Sequence, residues 1–170
     1  MLVVMSELLA QSTWLDSSEQ LVLAGQVALA AVLGALVGLE RELLGKRAGT
    51  RTHALVAVGS ALSVGLGRLL LDDGAGDATR VLHGVITGVG FIGAGTILRS
   101  QGERITGLTT ASTILCVAIV GAACALGAPL VAALTTFIVL VIVRGGVVLS
   151  RITDLAVERR RARGQADEDD

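Results

Sequence analysis

Tyrosine is absent from this chain, and one tryptophan, one proline and two cysteines are all that 170 residues hold of those types. The cysteines, Cys116 and Cys124, lie within one apolar run, too far apart along a helix for an internal disulfide, and are expected as small buried thiols. No Ser/His/Asp set, Cys-x-x-Cys or metal-protease pattern occurs, so no enzymatic activity and no cofactor are expected. "GVGFIGAG" offers Gly88, Gly90 and Gly93 in G-x-G-x-x-G spacing, but it neither follows a strand nor opens a soluble helix, and no nucleotide or nucleic-acid partner is expected. The opening "MLVVMSELLAQSTWLDSSEQ" has no Lys or Arg and carries Glu7, Asp16 and Glu19, so the positive region of a signal peptide is missing and the segment is expected to stay attached. Strict alternation of apolar and polar residues is missing from the apolar runs, which sets aside a transmembrane β-barrel.

What is abundant is glycine, 22 residues of it, and apolar side chain, 52% of the chain at a mean hydropathy of +0.74. That composition is too apolar for a soluble domain and points to an all-α integral membrane protein. Five runs approach the roughly 20 residues that cross about 30 Å of hydrocarbon. They are residues 21–39, 54–71, 81–98, 108–127 and 130–149. The expected architecture is a bundle of five transmembrane helices over 21–149, with an external segment, 1–20, and a cytoplasmic segment, 150–170. Trp14, just before the first run, suits an interfacial anchor.

The basic residues are distributed unevenly. If the five runs alternate, Arg41, Lys46, Arg47, Arg51, Arg99, Arg104, Arg151, Arg159, Arg160, Arg161 and Arg163 fall on one side, against Arg68 and Arg80 on the other. The positive-inside rule then puts the N-terminus outside and the C-terminus in the cytoplasm. Arg144, a few residues inside the last run, is expected to snorkel to the interface. Beyond it, Leu149, Ile152 and Leu155 recur every third residue, as in a helix lying on the membrane surface, with the arginines toward anionic head groups and the acidic "DEDD" end solvated.

In lipid, helix association relies on close van der Waals approach, and small residues mark the contact faces. Helix three would carry Gly84, Gly88 and Gly95 on one face and Gly90, Gly93 and Ala94 on another, which predicts a central helix gripped from two sides. Ladders of Ala30, Gly34 and Gly38, and of Gly59, Ser63 and Gly67, would serve the first two helices. Such faces also suit a homo-oligomer. The other use of these glycines is to unwind a helix, so that its carbonyls line an ion path.

Polar residues cluster at the helix ends. Glu40, Arg41 and Glu42 leave helix one, and Arg51, Thr52 and His53 lead into helix two. A salt bridge such as Glu40 with Arg51 would fix this hairpin, and a binding site is the alternative. In "DDGAGDATR", Asp77 is placed to cap helix three with Arg80 one turn on, while Asp72, Asp73 and Asp77 could equally gather a hard cation such as Mg²⁺. Arg99 and Arg104 bracket the next turn, and Thr109 and Thr110 enter helix four.

"GLERE", "RTHALVAVG", "DATRV", "GVGFIGAGTILR" and "GLTTAS", in this order and separation, resemble the MgtC/SapB family across about residues 21–127. The resemblance implies a bacterial cytoplasmic (inner) membrane protein connected with magnesium homeostasis, in a family associated with magnesium-import P-type ATPases. It carries the family's motif positions onto Glu40, Arg41, Glu42, Arg51, Thr52, His53, Asp77, Arg80, Arg99, Thr109 and Thr110. Members often have glutamine where this chain has Gly84 and tryptophan where it has Leu115. Longer members add a soluble domain resembling ACT domains. The expected function is non-enzymatic, through helix contacts with another membrane protein. A cation transporter and a homo-oligomeric scaffold are the alternatives.

Overall fold

The computed structural model describes residues 16–70, 75–97 and 105–146. Trp14, Asp72, Asp73, Arg99, Arg104 and the 150–170 segment lie outside the described residues. Those described form α1 (Ser17–Leu43), α2 (Thr50–Leu70), α3 (Ala75–Thr96), α4 (Leu108–Ala125) and α5 (Pro129–Gly146). The chain divides into two compact units, Met1–Thr136 and Phe137–Asp170. The first holds α1 to α4 and the start of α5. In the second, the helical residues 137–146 expose Phe137, Ile138, Val141 and Ile142.

Each boundary has a local cause. Asp16 opens α1 with a capping box: its carboxylate accepts from the Ser17 N–H (2.8 Å) and the Ser18 hydroxyl (2.7 Å), while its own N–H donates to Glu19 Oε2 (3.2 Å). The hydroxyl and N–H bonds hold the Asp16 carboxyl below the usual carboxylate range. The helix therefore begins inside the segment expected to lie before the first span. At the other end, Gly45 adopts φ +65 while the Gly45 and Lys46 N–H groups bond to the carbonyls of Glu42 (2.9 Å) and Arg41 (3.0 Å). This is a Schellman turn. Another ends α4, where Gly127 has φ +76 and the N–H groups of Gly127 and Ala128 reach the carbonyls of Cys124 and Ala123. The chain's single proline then starts α5, where a missing N–H costs nothing. Helix α3 starts at Ala75, so Asp77 lies in its first turn and not at the cap position.

Close approaches define the packing of the first unit. A Cβ on Gly34 would lie 2.7 Å from the His53 carbonyl, and one on Gly38 would lie 2.6 Å from Thr50 Cα, so the C-terminal half of α1 runs antiparallel along the start of α2. Gly67 faces Val81, which turns α3 back against α2, and Gly93 faces Ala111, which turns α4 back against α3. Consequently α2 and α4 run parallel; Gly121 of α4 sits so tightly on the Ala57 carbonyl that no side chain fits between them. The core is made mostly of small residues: Ala30, Ala57, Ala61, Val64, Val117, Ala118 and Ala125 are fully enclosed, with Ile114 the largest side chain among those fully buried.

Helix α3 is not the central one. Gly84, Gly88, Gly90 and Gly95 are exposed, and a Cβ on any of them would meet nothing within 4 Å; Gly59 of α2 is equally open. The enclosed helix is α4, whose Thr110, Thr113, Ile114, Val117, Ala118, Val120, Gly121, Ala122, Cys124 and Ala125 are all buried. A run of glycines marks surface that can be approached, and only neighbours of matching shape turn it into a contact.

The outside is apolar. Leu21, Leu43, Leu55, Phe91, Leu130 and Ile142 are each more than two-thirds exposed, which water would penalise and lipid accepts. Among the described residues, four helices, α1, α2 (to Leu69), α4 and α5, are long and apolar enough to cross a bilayer. Helix α3, expected as a span, forms, but over its described residues it is not among them; Arg80 and His83 interrupt its apolar run. The described elements are all helices, and the chain is a multi-pass membrane protein.

Candidate functional site

The antiparallel order brings the end of α1, the start of α2 and the start of α4 to one end of the first unit, and most polar motif residues gather there. Glu42, on the last turn of α1, accepts hydrogen bonds from the Thr50 N–H (3.0 Å) and the Thr50 hydroxyl (2.7 Å). A carboxylate from one helix thus satisfies a free N–H at the start of the next and sits at the positive end of its dipole. Arg51 adds its charge nearby. Gly49 makes this approach feasible, since a Cβ there would lie 2.8 Å from Glu42 Oε2. The hairpin is therefore tied by Glu42 to Thr50, a pair the sequence reading did not name.

Beneath this tie, His53 is fully buried. Its Nδ1 lies 2.9 Å from the Gly49 carbonyl oxygen, and its Nε2 lies 3.1 Å from Thr113 Oγ1 on α4. Thr113 Oγ1 is also 2.9 Å from the Thr110 carbonyl oxygen, so a continuous chain of polar atoms crosses from the loop through α2 into α4. Since a carbonyl only accepts, Nδ1 carries a proton. In the neutral ring Nε2 then accepts the Thr113 hydroxyl proton, which is shared with Thr110. Two turns further on, the Ser60 hydroxyl donates to the Ala118 carbonyl, a second polar rung between α2 and α4.

Arg41 is 3% exposed, and its Nε has no hydrogen-bond partner. It is near enough to His53 to act on it electrostatically, and Glu40 supplies the opposing negative field. A buried guanidinium is costly unless paired, which sets Arg41 apart from the exposed cations Lys46, Arg47 and Arg51. Next to it, the loop's Ala48 is buried with Val89 of α3 and Ile114 and Ala118 of α4, which pins the loop to the bundle.

Glu42, Lys46, Arg47, Gly49, Thr50, Arg51 and Thr52 line an open cavity of about 480 Å³. Of the remaining expected residues, Thr110 is buried in the polar chain while Thr109 is exposed. Asp77 and Arg80 lie at the start of α3, at the opposite end with Arg68. The motif residues therefore form two groups and not one. Among the described residues no cluster of three His, Cys, Asp or Glu side chains could hold a metal ion. The sequence reading missed Thr113, Gly49 and Gly121. Thr113 lies one turn after Thr109 and Thr110, on the face that α4 turns inward, and that spacing is the signal that could have found it.

Between α2 and α3, Leu55, Gly59, Ser63, Val85, Gly88 and Ile92 are among the residues around an open, largely apolar groove of about 440 Å³.

Residues 27–152 match the MgtC family. The chain is 40% identical over 119 residues to the protein MgtC of Brucella abortus, an overlap covering 70% of this chain and 49% of that protein. It is 38% identical over 159 residues to the protein SrpB of Synechococcus elongatus, covering 85% and 82%. It is 44% identical over 99 residues to YhiD of Escherichia coli, covering 55% and 46%; that protein's name marks it as a candidate magnesium transporter. The chain thus spans about half the length of the MgtC relatives it matches. No solved structure is significantly similar to it.

Proposed function

This chain belongs to the MgtC family, and on that premise we propose that it serves magnesium homeostasis in the bacterial cytoplasmic membrane by binding another membrane protein through its helices. The observation that carries this reading is the open groove between α2 and α3, lined by Gly59 and Gly88 together with Leu55, Val85 and Ile92. A stripe of small residues beside branched apolar walls suits a transmembrane helix, because its backbone can come close. The cytoplasmic end, with Glu42, Arg51 and the buried Arg41, then supplies polar selectivity. No enzymatic step and no resident cofactor is part of this proposal. It places the N-terminus outside and the C-terminus in the cytoplasm.

A second reading, Mg²⁺ transport, draws on the name of the YhiD relative. The enclosed centre of the first unit argues against it: Ala57, Ala61, Val64, Val117 and Ala118 are apolar and admit no hydrated ion. A site-specific photocrosslinker replacing Ile92, applied in native membranes, separates the readings. Capture of a different membrane protein, with no Mg²⁺ flux into liposomes holding the purified chain, is the expected outcome. Capture of the chain alone would support the scaffold alternative, and flux that Glu40→Gln abolishes would overturn the proposal in favour of transport.

A further inference from the structure

Among the described residues, the loop joining α1 to α2 and the start of α2 gather three cations around one cavity. Lys46, Arg47 and Arg51 line the cavity at this end, and Glu42 is the one carboxylate among its lining residues. That carboxylate is already engaged by the Thr50 N–H and hydroxyl. The cations do not hang on a loose loop. The Schellman bond from the Lys46 N–H to the Arg41 carbonyl fixes one side, and buried Ala48 fixes the other. The loop backbone is therefore fixed where it borders this space, and Thr52, a residue with a hydroxyl donor, also lines it.

We propose that this cavity binds a phosphate group. Two guanidinium forks can each donate paired hydrogen bonds to phosphate oxygens, while Lys46 contributes a compact charge. The cavity holds a net positive charge once Glu42 is counted. A carboxylate ligand would use one fork; a phosphate, with more acceptor oxygens and more charge, uses both. The site lies between Leu43 and Leu55 in the chain, both strongly exposed, and so where apolar surface gives way to polar loop. A phosphate there comes either from the head group of an anionic lipid or from a soluble phosphate compound. The chemistry is common to both, and it rests on this cavity and not on the groove between α2 and α3.

The test uses the full chain in nanodiscs of phosphatidylcholine, with and without phosphatidylglycerol, and a titration with inorganic phosphate in the lipid-neutral discs. Lipid retention is read by native mass spectrometry and phosphate binding by thermal shift. The variant combines Lys46→Ala, Arg47→Ala and Arg51→Ala, three exposed side chains; Arg68→Ala at the opposite end is the control. Preferential retention of phosphatidylglycerol identifies the lipid source, and saturable stabilisation by phosphate in neutral discs identifies the soluble one. In either case the triple variant should bind roughly tenfold to a hundredfold more weakly while the control is unchanged. Binding that the triple variant retains, or binding of neither probe, would overturn the proposal. Circular dichroism and the melting temperature of the variant show whether it is folded, and single substitutions carry the test should the triple one not fold.

Discussion

His53 shows how much one side chain can organise when both ring nitrogens are used. It ties the Gly49 carbonyl on the hairpin loop to Thr113 on α4, so the two halves of the polar end share one hydrogen-bonded chain. Replacing Thr113 with valine keeps the shape and removes the hydroxyl, leaving Nε2 buried without a partner. The expected cost is about 1 kcal/mol, since transmembrane hydrogen bonds are worth less than their burial suggests. Thermal unfolding in detergent should show a lower midpoint for Thr113→Val and an unchanged one for Thr109→Val, whose side chain is exposed. Equal melting of both variants would mean that the chain of polar atoms does not hold the helices. The motif residues Arg41, Glu42 and His53 were legible in the sequence because charged and imidazole groups are rare among apolar runs. Thr113 was not, since nothing distinguishes it from Thr109, Thr110 and Ser112 until α4 has a buried face.

At the level of helices, the apolar runs were legible and their edges were not. Hydropathy finds where lipid can begin, whereas Asp16 with Glu19 and the glycines at positions 45 and 127 decide where hydrogen-bonded helix begins and ends. Which helix is central was illegible for a different reason. Glycine count suggests contact, yet α3 leaves Gly84, Gly88, Gly90 and Gly95 open while single glycines elsewhere bear the closest approaches. The difference is measurable. Gly34→Ala pushes a methyl toward the His53 carbonyl and the Ala57 Cβ, and Gly121→Ala drives one into the Ala57 carbonyl. Each should destabilise the monomer by about 1–3 kcal/mol, the usual range for overpacking. Gly88→Ala meets empty space, so the isolated chain should melt no lower than wild type. Equal losses at all three positions, read by denaturant titration in mild detergent, would refute the packing described for α2 and α4.

Taken as a whole, the first unit has two chemically different ends, and that difference fixes how it should sit in a membrane. The Glu42–Thr50 hydrogen bonds and the antiparallel contacts place Arg41, Lys46, Arg47 and Arg51 together at one end; Arg68 and Arg80 share the other with Glu19. Basic residues close to the helix ends resist translocation, so the end with the Lys46 cavity should be cytoplasmic. Single cysteines test this in a chain whose Cys116 and Cys124 are replaced by alanine. With Arg47→Cys, an impermeant maleimide should label only after the cells are permeabilised; with Glu19→Cys it should label intact cells. Both positions lie on exposed surface, so absence of reaction reports the membrane side and not burial. The reverse pattern would invert the orientation and leave the bundle intact. Labelling of both positions from the same side would mean that α1 does not cross the membrane, because Glu19 and Arg47 flank the single apolar stretch that it forms.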